Sequence, residues 1–597
     1  MAPVWRRKSH RSQVVETQTD SSMTSRCSDK KIKISDKTNI PPRGWIDCPA
    51  VGEPIDNYII PSKVPLGESS NEFIEPSKRY SPRQVIEQQR LLSREVGLVI
   101  DLTDKKECSS SSLEWKGLGI RYVKIPCIGV PDNKSVNEFV YQVMQFNNQF
   151  NCDETQPKKF VLVYSSHGCN RAGYMIVHYL IRSYLMTVSE ALQLFQDARP
   201  AGIYKPDCID ALYRFYHEEK PEGFVWPGFP EWEKTSGFGC NGGGVCNEVL
   251  TNDDVLGDAI PKEQQDFLRQ WCCYFLNVSG GANGANKFPG SHPVSLNWDN
   301  LQFLRQVDYR VTWKADGTRY MMLVNSDGCY LIDRKFNFRR VQMRFPLAQE
   351  NGIFSKATHN LTLLDGEMVI NTDPETHKQE RRYLVFDVMA INGVSVIEWP
   401  FGERWNMLEE QVIRPRNLES QCISQSTNPR YRYDREPFSV AIKEFWLLSE
   451  ITERLKEFTP TLLHGSDGLI FQGWNDKYVP FTHEGLLKWK SHEMNSVDFL
   501  VGTGKSPSLY LYDKGRMKCM YGHRVVFTNG EDPSQLSGKI IECSYSGNEV
   551  WCFMRVREDK STPNAYGTYL KVMHSIKDNI TEEALLDQIQ EIVQSKW

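Results

Sequence analysis

No run of about 20 consecutive apolar residues, the length a helix needs to cross a bilayer, occurs in this chain. The best candidate, residues 174–186, is broken by His178 and Arg182 and reads as a helix buried in a core. The basic residues Arg6, Arg7, Lys8 and Arg11 have no apolar stretch behind them, so the N-terminus does not read as a secretory signal. The sequon Asn277-Val278-Ser279 therefore carries no weight. An excess of positive charge is also missing: 71 Lys and Arg face 75 Asp and Glu, a formal net charge of −4. A chain that coats nucleic acid non-specifically is expected to be basic, so any such contact must be local. The 16 cysteines, including the adjacent Cys272 and Cys273, are scattered over 597 residues, unlike the dense framework of a small secreted domain. A reduced compartment, cytosol or nucleus, fits better. Cys240 and Cys246 are wrongly spaced for a zinc knuckle. No internal repeat is detectable.

What is present is ordinary globular material, 40% hydrophobic and 24% charged. At about 150 residues per domain the length suggests about four units. Residues 1–40 are Ser-, Thr-, Lys- and Arg-rich and read as a disordered tail. Their basic clusters are either import signals or solvated charge. Residues 41–219 look like a compact α/β unit, with short apolar β-branched runs at 97–102 and 160–164 and helical stretches at 136–146 and 188–195. Residues 220–289 have Gly-rich linker composition, with one helix expected near 262–276. Strands dominate 290–495, including a hairpin over 320–332 with an Asp-Gly turn. Short strands then continue over 496–597 and fit a small β-barrel. The chain closes with a helix N-capped by Thr581, whose apolar face is Leu585, Leu586, Ile589, Ile592 and Val593.

Two motifs carry chemistry. The first is Trp313-Lys314-Ala315-Asp316-Gly317-Thr318-Arg319. A lysine amine attacks only when deprotonated, which burial or neighbouring cations promote. Alone, this pattern fits a surface lysine before a turn better than a nucleophile. It is followed, in order, by Leu364-Asp365-Gly366-Glu367, by a strand carrying Phe386 and Asp387, by Ser466-Asp467-Gly468, by Lys488-Trp489-Lys490, and by Arg555-Val556-Arg557-Glu558-Asp559-Lys560. This ordered set, spread over most of residues 290–560, resembles the covalent nucleotidyltransferases: mRNA-capping guanylyltransferases and polynucleotide ligases. Residues 313–322, Phe288-Pro289-Gly290, Asn495-Ser496-Val497-Asp498-Phe499 and Asp559-Lys560-Ser561 look like the metazoan capping enzymes. One departure is His464-Gly465-Ser466 before Asp467, where those enzymes usually show His-Glu-Met.

The resemblance implies a multidomain chain: an α/β cysteine-phosphatase-like domain, a linker, an α+β nucleotidyltransferase domain and an OB-fold β-barrel. It implies that Lys314 attacks the α-phosphorus of GTP, with Lys488 and Lys490 neutralising charge on the phosphate. Phe386 would stack on the base, and Arg319 and Arg334 would reach the ribose and phosphates. Glu367 and Asp467 would hold Mg2+ or Mn2+. Arg555, Arg557, Asp559 and Lys560 would reach the triphosphate from the barrel, which closes over it in this family. The implied partners are GTP, the RNA 5′ end and the phosphorylated C-terminal domain of RNA polymerase II; the implied place is the nucleus. An ATP-dependent ligase, and a diverged non-catalytic scaffold, remain as alternatives.

The second motif is Val163-Tyr164-Ser165-Ser166-His167-Gly168-Cys169-Asn170-Arg171-Ala172-Gly173, an apolar strand running into a helix. Turning backbone N–H groups, a helix N-terminus and Arg171 form a phosphate cradle. It resembles the H-C-x5-R-[ST]-G loop of cysteine phosphatases, and residues 40–216 resemble the RNA triphosphatase domain of metazoan capping enzymes. The nucleophile position, six before Arg171, holds Ser165 in place of cysteine. Tyr164 replaces the preceding His, and Ala172 replaces the following hydroxyl residue. Such a cradle lowers the pKa of a thiol but cannot ionise a serine, which needs a general base. Impaired or absent triphosphatase activity is expected, the loop surviving either as a phosphate-binding site or as a structural remnant.

Overall fold

The computed structural model describes residues 40–104, 112–153, 155–233, 249–278, 287–348, 357–426, 431–491, 495–502, 508–527, 533–558 and 560–595. The basic tail, Cys240, Cys246, the 280–284 Gly stretch and Asp559 lie outside the described residues.

The N-terminal unit is built on a parallel four-stranded sheet, in the order Ile59–Lys63, Lys159–Ser165, Glu95–Asp101, Arg121–Lys124. Its two central strands read as continuous apolar runs because both sheet faces are covered. Helices Asn133–Phe150 and Asn170–Tyr184 bury Val140, Val143, Met175 and Tyr179 on one face. Pro82–Leu91 covers the other face with Val85 and Ile86, beside Trp115. Side chains set the helix starts: Ser81 with Gln84, and Thr187 with Glu190, form reciprocal capping boxes. The strand Lys159–Ser165 and the helix Asn170–Tyr184 leave only four residues between them, which are the phosphate-loop motif.

The next unit holds two sheets. One has the order Trp446–Leu447, Tyr309–Ala315, Ser466–Gly473, Phe481–Trp489, Ser291–Ser295. The other is centred on Gln379–Ile391, Thr362–Thr372 and Thr318–Asn325. Asp316 and Gly317 carry the chain directly from the first sheet to the second. Lys314 and Arg319, five residues apart in the sequence, therefore stand on different walls of the space between the sheets. The expected hairpin is present, with Asn325 paired to Gly328. Its two turn residues are thus Ser326 and Asp327, and Gly328 opens the return strand.

Two stretches sit differently from the expectation. Part of the stretch read as linker is built into this unit: Asp258–Ala259 pairs with Arg339 and Arg340, and helix Lys262–Phe275 buries Leu268, Cys272 and Phe275 against Met321 and Tyr330. The i, i+4, i+7 spacing of those three residues gives the helix an apolar stripe, although Gly-rich sequence flanks it. The final helix, Glu582–Ser595, is capped by Thr581, whose Oγ1 accepts from Ala584 N at 3.2 Å. It does not cover the barrel. Leu585, Ile589 and Ile592 pack on Leu301, Leu304 and Trp446 of the two-sheet unit.

Between Ser496 and Val556 six strands form the barrel-type sheet. Its core gathers Phe499, Leu511, Ile541 and Trp551. The chain enters this unit just after Trp489 and leaves it just before Ile580. The Trp489 indole donates to the Ile580 carbonyl at 2.9 Å, so entry and exit are clasped together.

Candidate active site and a second phosphate cradle

Between the two sheets lies a cleft of about 1030 Å³. Side chains alternate along a strand, so Thr312 and Lys314 face the cleft from one strand, Ile470 and Gln472 from the next, and Leu486 and Lys488 from a third. Glu367, Phe386 and Arg319 line the opposite wall. The Lys314 ammonium donates to Asp467 Oδ1 at 2.7 Å, and Lys490 pairs with the other oxygen of the same carboxylate. Burial raises the Asp467 pKa, but the two lysines outweigh it and hold the carboxyl below its ordinary value. Among the described residues, no carboxylate forms an ion pair with Lys488. Burial, with Lys490, Lys314 and Lys560 nearby, pushes its ammonium down to about 7.

Arg319 lines the cleft, but its guanidinium is committed. It binds Asp365 through two nitrogens, at 3.0 and 2.5 Å, and pairs with the Ser291 carbonyl. Its charge lies 5.4 Å from the Phe386 ring centre and helps hold that ring in place. Arg334 is exposed at the cleft edge. Lys443 also lines the cleft and was not singled out in the sequence, where it is a lone lysine after Ile442 with no motif around it. It is 3% exposed, lies 5.2 Å from the Trp313 ring, and is pushed down to about 8 by burial, with Lys314 adding to the effect.

From the barrel, Lys560 reaches the cleft. Arg555 donates to Glu542 at 2.9 Å, Arg557 to Asp498 at 3.1 Å and Glu542 at 3.4 Å, and Lys560 pairs with Asp498. These three cations are thus parked on two barrel carboxylates. Lys335 donates to the Glu558 carbonyl at 2.9 Å, and Lys571 pairs with Glu484 at 3.0 Å, joining the barrel to the cleft rim. Among the described residues no group of three His, Cys, Asp or Glu side chains is arranged to hold a metal. Glu367 and Asp467 are two carboxylates, with Asp467 already on two lysines. That donor set suits an ion taking most of its oxygens from a bound triphosphate, as Mg2+ does.

In the N-terminal unit the loop curls as its sequence requires. Gly168 has φ +70°, and a Cβ there would meet the Ser62 carbonyl oxygen at 2.2 Å. Ser165 Oγ is buried and accepts from Gly168 N at 3.2 Å. Arg171 donates to the Cys127 carbonyl at 2.8 Å and pairs with Ser166. His167, the only imidazole in the loop, turns away from Ser165: its Nε2 meets the Arg43 carbonyl at 2.7 Å and its ring lies 4.9 Å from that of Trp232. Cys169 is not on the loop floor. Its sulfur and that of Cys48 lie 3.5 and 3.4 Å from the same His167 carbonyl. A hydrogen bond from Cys48, helped by Arg199 against the effect of burial, pushes the Cys169 thiol down to about 7. No local pattern marks this pairing, because its members are far apart in the chain.

Fold and sites together define a covalent-nucleotidyltransferase architecture, with its barrel, joined to a phosphatase-like domain. Family comparison gives the same division. Residues 81–218 match the dual specificity phosphatase catalytic domain, 250–492 the mRNA capping enzyme catalytic domain, and 491–586 the mRNA capping enzyme C-terminal domain. The mRNA-capping enzyme of Mus musculus is 31% identical, with 92% of this chain and 93% of that protein covered. That of Danio rerio is 31% identical over 94% and 95%, and that of Caenorhabditis elegans 27% identical over 92% of each. The chain belongs to the mRNA-capping enzyme family.

Proposed function

We propose that the chain is an mRNA guanylyltransferase that transfers GMP from GTP, through Lys314, to the diphosphate 5′ end of RNA. The observation that carries this is the Lys314 amine held at 2.7 Å from Asp467, in a cleft lined also by Lys488, Glu367 and Phe386, with Lys490 on the other oxygen of the same carboxylate. In the first step Lys314 Nζ attacks the α-phosphorus and loses a proton. The bond to the β-phosphate oxygen breaks, and pyrophosphate leaves. In the second step a terminal oxygen of the RNA diphosphate attacks the same phosphorus, the P–N bond breaks, and Nζ regains a proton. Asp467 orients the amine. Lys488 and Lys490 meet the charge that builds on the phosphate. Phe386 offers a face to the base, with Arg319 fixing the ring and Arg334 at the open edge. Bound Mg2+ would neutralise part of the triphosphate charge beside Glu367 and Asp467. Arg555, Arg557 and Lys560 exchange their barrel carboxylates for the β- and γ-phosphates; Asp559 belongs to the same sequence motif. Labelled GTP should leave a covalent label on the wild type and none on Lys314→Ala. A label from ATP alone, or label on Lys314→Ala, overturns the proposal.

The N-terminal domain is proposed to bind phosphate but to hydrolyse triphosphate ends poorly. The support is Ser165 held by Gly168 N, with His167 bound elsewhere. Phosphate release from triphosphate-ended RNA should be near background for wild type and higher for Ser165→Cys. Equal rates sink the idea. The family further suggests a nuclear protein that meets the phosphorylated polymerase tail. Co-precipitation with phosphorylated and unphosphorylated tail peptides checks the latter.

A further inference from the structure

Where the two domains meet, a cavity of about 490 Å³ holds two arginines that the capping chemistry does not use. Arg182 comes from the phosphatase-like helix Asn170–Tyr184, and Arg340 from the nucleotidyltransferase strand Phe338–Val341. They are 5% and 2% exposed. Each keeps one terminal nitrogen, Arg182 Nη2 and Arg340 Nη1, with no hydrogen-bond partner among the described residues. Their other contacts are neutral. Arg182 donates to the Asn137 amide oxygen at 2.8 Å and to the Tyr216 hydroxyl at 3.4 Å. Arg340 donates to the Asp327 backbone carbonyl at 2.9 Å and to the Gln342 amide oxygen at 2.8 Å. Both guanidinium carbons lie 5.5 Å from the centre of one ring, Phe215.

Buried cations are ordinarily paired, because desolvating an unpaired charge is costly. The acids lining this cavity are otherwise engaged. The Asp327 carboxylate accepts from Asn325 and Tyr330, Glu419 is held by two nitrogens of Arg344, and Glu218 accepts from Val188 N. Burial and the neighbouring Arg182 lower the Arg340 pKa, the direction two facing cations impose.

We infer that this cavity is a binding site for a phosphate group, Arg182 and Arg340 bridging its oxygens from the two domains. Each guanidinium offers its one free terminal nitrogen to a phosphate oxygen, a charge-assisted hydrogen bond from each domain. The volume is that of a small-ligand site and admits a mononucleotide as well as free phosphate. Bound phosphate would staple the two domains together.

The test uses the full chain carrying Lys314→Ala and Arg171→Ala, which remove the cleft's nucleophile and the loop's arginine; Arg340→Gln in the same background separates the cavity from binding left in the cleft. Inorganic phosphate, GMP and guanosine are each titrated by calorimetry and by melting temperature. Phosphate or GMP should bind and raise the melting temperature, and guanosine should do neither. Tighter binding of GMP than of phosphate marks a nucleotide site; equal binding marks a phosphate site. Arg340→Gln should weaken binding at least tenfold and cancel the thermal shift. Without phosphate it should melt no lower than its parent, since it removes one of two facing cations. If Arg340→Gln does not fold, Arg182→Gln supplies the same readout. Absence of binding, or an undiminished shift in a folded variant, overturns the proposal.

Discussion

The molecule holds two places made for phosphate, and they differ in what they do with a nucleophile. In the cleft, a lysine amine is anchored on a carboxylate that it shares with a second lysine, and a third lysine stands nearby with its charge weakened by burial. In the N-terminal loop the cradle is complete, with Arg171, the turn at Gly168 and the helix start. The group at its centre is nevertheless a hydroxyl, and the loop's own histidine is bound elsewhere. On the proposed reading, this fold keeps the binding geometry without the chemical competence.

Lys314→Ala should break the contrast most completely, leaving neither site with a nucleophile and removing all adduct formation from GTP. Lys488→Ala should keep the nucleophile but lower the rate of adduct formation by about 100- to 1000-fold, the cost of deleting one donor to a charged transition state; single-turnover labelling measures it. Proton linkage sharpens the picture further. The pKa values of Lys488 and Lys443 lie near 7 and 8 without ligand, and a bound triphosphate raises them. GTP binding should therefore take up protons above about pH 7. Its affinity should fall as pH rises, by at most about tenfold per pH unit for each lysine. Calorimetry in buffers of different ionisation heat reads the uptake, and Lys488→Arg should remove part of it. On the other side, Gly168→Ala forces a β-carbon into the Ser62 carbonyl and should cost about 1–3 kcal/mol or more in the N-terminal domain. Adduct formation at Lys314 should be unchanged, and urea unfolding beside a labelling assay tests both halves.

Much of this was legible in the sequence because the relevant signals are local. Strand runs, the hairpin, the Thr581 cap and the order of the lysine motifs need only neighbouring residues. The parts that were not legible depend on distant pairs. Lys443 acquires its place only when Ser439–Ile442 pairs with Gln379–Ile391. Arg319 reads as a free cation until Asp365 arrives opposite it from another strand. The helix Lys262–Phe275 has a clear apolar stripe, but glycine on either side gave its surroundings the texture of a linker. The contact of Cys48 with Cys169 spans most of a domain.

The clasp between Trp489 and Ile580 sets how the barrel can move. Because the chain enters and leaves through neighbouring points, the barrel hangs from the nucleotidyltransferase like a pendant from a single ring. The swing proposed for the barrel would turn about this point, with few backbone torsions changing. That ring is also the residue between Lys488 and Lys490, so such a swing would pull directly on the two cations proposed to receive the phosphate.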